Sequence, residues 1–98
     1  VDALKLFAAE EKLIAAICAA PSVLGQVGLL EGKKATSYPG FAEKMPGCQY
    51  QTDAVVSDGN IITSRGMGTA IAFALTLVTI LKDEETAKSL ANSIVYKW

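Results

Sequence analysis

The stretch that most constrains the fold of this chain is residues 13–25, LIAAICAAPSVLG. Residues 13–17 are all apolar, which predicts a buried strand, and the lack of polar alternation is typical of a strand covered on both faces of a parallel sheet. Cys18 follows at once. Pro21 is favoured in a first helical turn, where its missing N–H costs nothing. The pattern therefore predicts a strand, a sharp turn at the cysteine and a helix over residues 19–27.

A strand that turns sharply into a helix with a nucleophile at the corner is a nucleophile elbow. The start of a helix offers free N–H groups and the positive end of the helix dipole, and both favour the thiolate, which is the reactive form of cysteine. We therefore expect Cys18 to be reactive, and more readily alkylated than Cys48, which lies in a loop or at the start of a strand. A buried core cysteine in a strand of small residues is the alternative interpretation of Cys18.

Composition limits the class of protein. The chain has 98 residues, of which 51% are hydrophobic, and a formal net charge of −1, which fits about one small globular domain. The near-zero charge argues against nucleic acid or an anionic membrane as the main partner, and no apolar run is long enough for a membrane-spanning helix. Two cysteines do not make a disulfide framework, so we expect a reducing, cytoplasmic setting.

The absence of histidine restricts the chemistry. A Cys–His or Ser–His pair cannot form within this chain. The two cysteines and the carboxylates have no recognisable metal-ligand spacing, so we expect neither a metal nor a cofactor.

Strands and helices are predicted to alternate along the chain, which indicates an α/β fold. The other predicted elements before the final helices are a helix over residues 1–11, a short strand over 33–36, a loop over 37–40, a helical turn over 41–45, and a hairpin whose strands are 55–56 and 61–63.

Two helices are predicted at the end of the chain. The first, over residues 70–81, follows Thr69 as a candidate N-cap and is apolar nearly all round, so we expect it to be largely buried. Asp83 is predicted to cap the second helix. That helix has an apolar stripe at helical spacing, formed by Ala87, Leu90, Ala91, Ile94 and Val95.

A second junction between a strand and a helix has the sequence Ser64-Arg65-Gly66-Met67-Gly68-Thr69. In open α/β sheets the ligand site lies beyond the carboxyl ends of the strands, so we expect Cys18 and this junction to share one pocket. An isolated Gly-x-Gly is a weak signal for a phosphate loop, and a turn that needs small residues is the favoured interpretation.

The chain resembles the ThiJ/PfpI superfamily, specifically its DJ-one branch. The motifs that carry the resemblance are AAICAAP at residues 15–21, Tyr38-Pro39, Asp58-Gly59 and TSRGMGT at residues 63–69. The resemblance implies a flavodoxin-like three-layer α/β sandwich, usually a homodimer. It also implies that residues 1–98 form the carboxyl-terminal half of a single ThiJ/PfpI-type domain, whose amino-terminal half is absent from this chain.

The resemblance also implies a set of site residues. Cys18 matches the reactive cysteine of the family, and Ala19 matches the residue whose N–H helps to form the oxyanion hole. The matching pocket residues are Tyr38, Pro39, Arg65, Gly66 and Met67.

The chain departs from the family pattern at two of these positions. Tyr38 stands where many members have a histidine, and Met67 stands where proline is common, in a loop near the dimer interface. The glutamate that hydrogen-bonds the cysteine in this family belongs to the amino-terminal half and has no counterpart in these 98 residues.

The resemblance leaves two classes of function open. One is glyoxalase or deglycase chemistry on small α-oxoaldehydes, in which the Cys18 thiolate forms a hemithioacetal and the missing half supplies the acid–base glutamate. The other is an oxidative-stress sensor or redox-regulated chaperone that uses the same cysteine without turnover. An inert paralogue is a third interpretation. The partners expected are the missing half, a second copy of the chain and a small aldehyde.

Overall fold

The structure is a computed structural model that describes residues 12–97. Strands and helices alternate along this part of the chain, as predicted. The α-helices and strands are β1 (Ile14–Ile17), α1 (Pro21–Gln26), β2 (Lys34–Ala35), β3 (Gln49–Tyr50), β4 (Val55–Asp58), β5 (Ile61–Ser64), α2 (Ala70–Leu81) and α3 (Glu84–Ser93), and the two 3₁₀ turns are Ala42–Lys44 and Met67–Thr69. The helix predicted over residues 1–11 lies outside the described residues.

The main sheet has three strands in the order β1-β5-β4. β1 is parallel to β5, as expected for an α/β fold, and all four residues of β5 are buried. β1 buries Ile14 and Ala16 on one face, whereas Ala15 on the other face is exposed. The prediction that β1 is covered on both faces is therefore wrong within residues 12–97, because no described element covers Ala15. The strand that is buried on both faces is β5.

The predicted hairpin is confirmed. β4 and β5 are antiparallel, and Asp58 pairs with Ile61, so that the loop is the two residues Gly59 and Asn60. Gly59 has a φ of 60°, and it is the only one of the two with a positive φ. A glycine at the first position of a two-residue loop is the pattern of a type II′ turn, whose twist matches that of the strands.

A second, two-stranded sheet lies against β5. β2 is shorter than predicted and pairs in parallel with β3, a two-residue strand that the sequence did not predict. The N–H of Thr36 donates to the hydroxyl oxygen of Thr63 at 2.9 Å, and this bond attaches the small sheet to the main one. Between them lies a core cluster formed by Ile14, Ala16, Leu24, Leu30, Ala35, Met45 and Ile61.

The elbow helix α1 packs very closely on the 3₁₀ turn Ala42–Lys44, at the position where a helical turn was predicted. A Cβ added to Gly25 would lie 2.7 Å from the Cα atom of Met45 and 3.0 Å from the carbonyl oxygen of Lys44. Real Cβ atoms essentially never approach backbone so closely, and therefore this helix can only approach the turn at a glycine.

Helices α2 and α3 begin as predicted and pack against each other. The carboxylate of Asp83 accepts a hydrogen bond from the N–H of Thr86 at 2.6 Å, which caps α3. Hydrogen bonds from the side chain and from the N–H of Thr86 hold the pKa of Asp83 below its usual value. Thr69 occupies the N-cap position of α2, but its side chain makes no capping bond to that helix. Its hydroxyl instead bonds to Gly66 and Ser64.

The expectation that α2 is largely buried is wrong within residues 12–97. Leu75 is buried, whereas Ile71 and Ile80 are nearly half exposed and Leu81 is mostly exposed. The stripe on α3 is also only partly covered: Ala87 and Ala91 are buried, and the remaining stripe residues, Leu90, Ile94 and Val95, are exposed. The reason is that α2 packs on β4, β5 and α3, and the described residues leave its other sides open. No helix in residues 12–97 is long and apolar enough to span a bilayer.

Candidate functional site

Cys18 lies at the sharp turn directly after β1. Its φ is 67°, in the left-handed region that non-glycine residues rarely adopt. Its N–H donates to the carbonyl oxygen of Ser64 at 3.0 Å, and its own carbonyl oxygen accepts from the N–H of Tyr38 at 2.7 Å. The side chain is exposed, which rules out a buried core cysteine in the described structure. The two backbone bonds hold Cys18 in this strained conformation.

The N–H of Ala19 is free within residues 12–97, where no hydrogen bond uses it as a donor. Helix α1 begins at Pro21, two residues later than predicted, because a turn intervenes in which the N–H of Ala20 donates to the carbonyl oxygen of Ile17 at 3.2 Å. With only six residues, α1 gives the thiolate less dipole support than the longer predicted helix. The free N–H of Ala19 is therefore the donor available to an oxygen atom bound beside Cys18.

Arg65 is the first residue after β5, and its guanidinium is bonded to the loop that follows β2. Nε donates to the carbonyl oxygen of Ser37 at 3.0 Å, and Nη2 lies 3.4 Å from the hydroxyl oxygen of Tyr50. The Tyr50 hydroxyl lies 3.1 Å from Oγ of Ser37 and 3.3 Å from the Ser37 carbonyl oxygen. Arg65 was predicted to line the pocket, but Ser37 and Tyr50 were not, since no motif in the sequence links them to Arg65.

Tyr50 has an unusual electrostatic environment. Burial by itself raises the pKa of the Tyr50 phenol, but its hydrogen bonds with the side chains of Ser37 and Arg65 and the positive charge of Arg65 outweigh it, so that the pKa lies below its ordinary value. The phenol oxygen is thus surrounded by groups that stabilise negative charge on it.

Tyr38 and Gly66 lie together at the same edge of the sheet as Cys18. A Cβ on Gly66 would be 3.6 Å from Cδ1 of Tyr38, which is ordinary van der Waals contact. The Tyr38 ring is half exposed and meets the ring of Phe41 edge-on, with centroids 6.4 Å apart. Pro39, the next residue, is exposed. The structure therefore brings Tyr38 and Gly66 to the Cys18 elbow, as expected for residues that follow neighbouring strands.

Met67 extends into solvent, with 94% of its surface exposed. It begins the 3₁₀ turn Met67–Thr69, which is fixed by the Thr69 hydroxyl: Oγ1 lies 2.7 Å from Oγ of Ser64 and accepts from the N–H of Gly66 at 3.0 Å. A Cβ on Gly68 would meet no atom of residues 12–97 within 4 Å, and Gly68 has no positive φ. The expectation that this turn needs small residues therefore fails at Gly68.

Cys18 is not among the residues that line a cavity at the other end of β1. A cavity of about 510 Å³ lies at the amino end of β1, opposite Cys18, and is lined by Leu13, Lys33, Gly59, Asn60 and Ile80. Within residues 12–97, no group of three His, Cys, Asp or Glu side chains is placed to hold a metal ion. The chemistry that this arrangement offers is therefore that of an exposed thiol next to a free backbone N–H.

Comparison with known proteins identifies the family. A model of the DJ-1/PfpI family matches residues 1–80. The chain belongs to the DJ-1/PfpI family. It is 47% identical over 88 residues to protein DJ-1 homolog B of Arabidopsis thaliana, and 35% identical over 98 residues to an isonitrile hydratase of Pseudomonas putida. The matches cover 88% and 98% of this chain, but 20% and 43% of those proteins.

A solved structure in the same family confirms the fold. The crystal structure of Drosophila melanogaster DJ-1beta matches with a TM-score of 0.92 and 41% sequence identity, over 99% of this chain and 53% of that one. The fold is thus the flavodoxin-like α/β fold of the DJ-1/PfpI family, and the chain spans about half the length of that structure.

Proposed function

We propose that Cys18 carries out glyoxalase- or deglycase-type chemistry on small α-oxoaldehydes without a cofactor. The observation that carries this proposal is the elbow itself: an exposed thiol at a φ of 67°, followed directly by the free N–H of Ala19. A nucleophile and an oxyanion donor on adjacent residues suit attack on a carbonyl group. The similarity to an isonitrile hydratase supports an enzyme in general, though not this substrate.

The first step joins the thiolate sulfur of Cys18 to the aldehyde carbon. The π electrons of the carbonyl group move to its oxygen, which accepts a hydrogen bond from Ala19 N–H and then takes a proton to give a hemithioacetal. An acid–base group removes the proton on that carbon, and the C–H electrons form an enediol with the neighbouring carbonyl group, whose oxygen is protonated. A proton then returns to the neighbouring carbon and the hydroxyl on the sulfur-bearing carbon loses its proton, so that a carbonyl group forms there and the product is a thioester of a hydroxy acid. Water cleaves the thioester, releases the acid and restores the thiol. Methylglyoxal plus water thus gives lactate, with no oxidant or reductant.

The acid–base group of this scheme belongs to another part of the domain. Within residues 12–97, no side chain is hydrogen-bonded to Sγ of Cys18, so the glutamate of the family is placed in an amino-terminal half that packs against this chain. The half-length coverage of the Drosophila structure supports that arrangement. We place the completed domain in a homodimer, with the exposed Met67 near the second copy, and in a reducing cytoplasm, where both free cysteines stay reduced. Intact mass and gel filtration test the composition and the dimer.

The test of the activity uses the intact, reduced protein with methylglyoxal, and measures lactate by NMR. Lactate is expected to form with the unmodified protein and with Cys48→Ser, and not with Cys18→Ser. Cys48 is the matched control because it is half-buried and packs on the core cluster, away from the elbow. If the unmodified protein forms no more lactate than Cys18→Ser, this proposal is wrong.

A redox sensor or redox-regulated chaperone is the second candidate, and the exposure of Cys18 favours it. Attack of the thiolate on peroxide breaks the O–O bond, gives a sulfenic acid and releases hydroxide, and Ala19 N–H is free to bond the new oxygen. Stoichiometric peroxide followed by peptide mass analysis is expected to add oxygen at Cys18 before Cys48. Selective oxidation without any turnover of methylglyoxal would favour this function over the first.

A further inference from the structure

We propose that Tyr50 and Arg65 form a latch that positions Cys18 by fixing the loop residues Ser37 and Tyr38. The proposal rests on the proposed function only in taking Cys18 as the reacting group. Within residues 12–97 neither latch residue is hydrogen-bonded to Sγ of Cys18, so we treat both as positioning residues rather than catalytic ones.

The latch holds one point of the loop, the peptide of Ser37. This residue is fully buried, and its carbonyl oxygen is the acceptor for Nε of Arg65 at 3.0 Å and for the hydroxyl of Tyr50 at 3.3 Å. Its Oγ lies 3.1 Å from the Tyr50 hydroxyl and donates to the carbonyl oxygen of Tyr38 at 3.1 Å. A guanidinium and a phenol therefore converge on a single buried backbone group, the carbonyl group of Ser37.

The held peptide is adjacent in sequence to the residue that bonds the cysteine. The N–H of Tyr38 donates to the Cys18 carbonyl oxygen at 2.7 Å, and the N–H of Cys18 donates to the carbonyl oxygen of Ser64, the residue before Arg65. The bond from Arg65 to Ser37 thus closes a circuit that runs through both backbone bonds of the elbow. A cysteine whose backbone lies in the left-handed region keeps that conformation only where the surrounding structure fixes it, and this circuit of bonds supplies that constraint.

The latch is built on rigid elements. Tyr50 ends β3, and its ring packs against the core cluster. The next residue, Gln51, donates its N–H to the carbonyl oxygen of Ala35 at 2.8 Å, two residues before Ser37, so that the phenol and the loop are fixed in the same small sheet. Arg65 follows directly on β5, which is buried throughout. The lowered pKa of Tyr50 agrees with a close contact between the phenol and the guanidinium.

The test compares Tyr50→Phe with Tyr96→Phe in the intact, reduced protein. Tyr96 is a matched control, since its hydroxyl makes no hydrogen bond within residues 12–97 and it lies beyond α3, away from the elbow. The readout is the rate constant for alkylation of Cys18 by iodoacetamide across pH, read by peptide mass, together with Tm. We expect Tyr50→Phe to slow Cys18 alkylation about threefold to tenfold, the scale of one lost hydrogen bond, and Tyr96→Phe to leave it within about twofold.

A second variant separates charge from geometry. Arg65→Lys keeps the positive charge, but a single ammonium cannot reproduce the two-pronged contact of the guanidinium, so we expect slowing similar to that of Tyr50→Phe. Because both residues act through Ser37, the double variant is expected to be about as slow as the slower single one. Arg65 is only half-buried, so we expect Arg65→Lys to fold. If Tyr50→Phe fails to fold, the alkylation rate of Cys18 in Arg65→Lys tests the latch instead.

The outcomes that overturn the latch are definite. A lower Tm with unchanged Cys18 alkylation would show that Tyr50 is merely structural, and multiplicative effects in the double variant would show that the two residues act separately. Alkylation requires no aldehyde, so the latch can hold while methylglyoxal turnover is absent. It can equally fail while turnover is present, and the two proposals therefore fail on different measurements.

Discussion

The two junctions that follow the parallel neighbours β1 and β5 lie side by side, because Ile17 is in register with Ser64. After β1 the chain turns through a strained cysteine whose side chain has no hydrogen bond within residues 12–97. After β5 the side chains of Ser64, Arg65 and Thr69 are all bonded to nearby groups, and no residue of that turn has a positive φ. The junction after β1, at Cys18, is therefore strained and open, and we call it the open junction. The junction after β5, residues 64–69, is relaxed and hydrogen-bonded, and we call it the bonded junction.

This difference shows how a small fold can keep a thiol exposed in a conformation that it would not adopt alone. The open junction donates one backbone bond to the bonded junction, from Cys18 to Ser64, and accepts another from Tyr38. Strain of this kind costs of order 1–3 kcal/mol and persists where neighbouring structure over-determines it. Within residues 12–97 the supporting bonds go to the backbone of Cys18 and none goes to its sulfur, so the two junctions can be disturbed independently.

Removal of the thiol should have the largest effect. Cys18→Ser keeps the shape of the open junction and removes its nucleophile, and we expect methylglyoxal turnover to fall by on the order of 10³-fold or more. Cys48→Ser is the matched control, because it removes the other thiol, which is half-buried and packs on the core cluster. Steady-state kinetics on both variants check this, and appreciable activity in Cys18→Ser would remove the cysteine from the mechanism.

Alkylation of the two cysteines in one molecule should give the next largest difference. Cys18 is exposed, whereas Cys48 is half-buried, and burial raises the pKa of the Cys48 thiol above its usual value. A raised pKa leaves less thiolate at any pH below it, so we expect Cys18 to react at least about tenfold faster at neutral pH. The midpoint for Cys48 should lie above that of an ordinary thiol. Equal rates and midpoints, measured by peptide mass across pH, would contradict this.

The open junction could be predicted because its signals are local. A run of small apolar residues, a cysteine and Pro21 within a few positions predict strand, turn and helix, and the hairpin was predicted from Asp58-Gly59 in the same way. The start of α1 was predicted too early, since the sequence does not reveal that Cys18 takes a positive φ and needs a turn before the helix. Proximity of Cys18 to the junction at Arg65 followed from the rule that the carboxyl ends of parallel strands meet at one edge, whereas Tyr38 was placed in the pocket by the family resemblance.

The supporting contacts could not be predicted, because they join distant positions. Arg65 and Ser37 are 28 residues apart, and Tyr50 lies on a two-residue strand that exists only because it pairs with β2. The apolar sequence of α2 predicted that the helix is buried, whereas part of its apolar surface is exposed. Hydrophobicity indicates how much surface a helix tends to bury, but it does not indicate which element of the fold covers that surface. Within the described residues that cover is incomplete.

Two glycine substitutions compare the packing of the junctions. Gly25→Ala would push a methyl group into the backbone of Met45, and we expect it to lower the free energy of unfolding by about 1–2 kcal/mol, after the gain in helix propensity offsets part of the clash. Gly68→Ala meets no atom within 4 Å, so we expect a change within about 0.5 kcal/mol. Urea unfolding of both variants in the intact protein measures these values. Equal losses would show that the two junctions are packed alike.

The smallest effect is expected from the Tyr38 hydroxyl. It makes no hydrogen bond within residues 12–97, whereas the backbone N–H of Tyr38 holds the Cys18 carbonyl oxygen and the ring lies against Gly66 and Phe41. Tyr38→Phe keeps all three contacts, so we expect Cys18 alkylation and methylglyoxal turnover to change by less than about twofold. Tyr50→Phe removes a bonded hydroxyl and is the matched contrast. A loss in Tyr38→Phe as complete as that of Cys18→Ser would mean that the phenol acts directly on the substrate, and that side chains beyond the cysteine at this sheet edge take part in the chemistry.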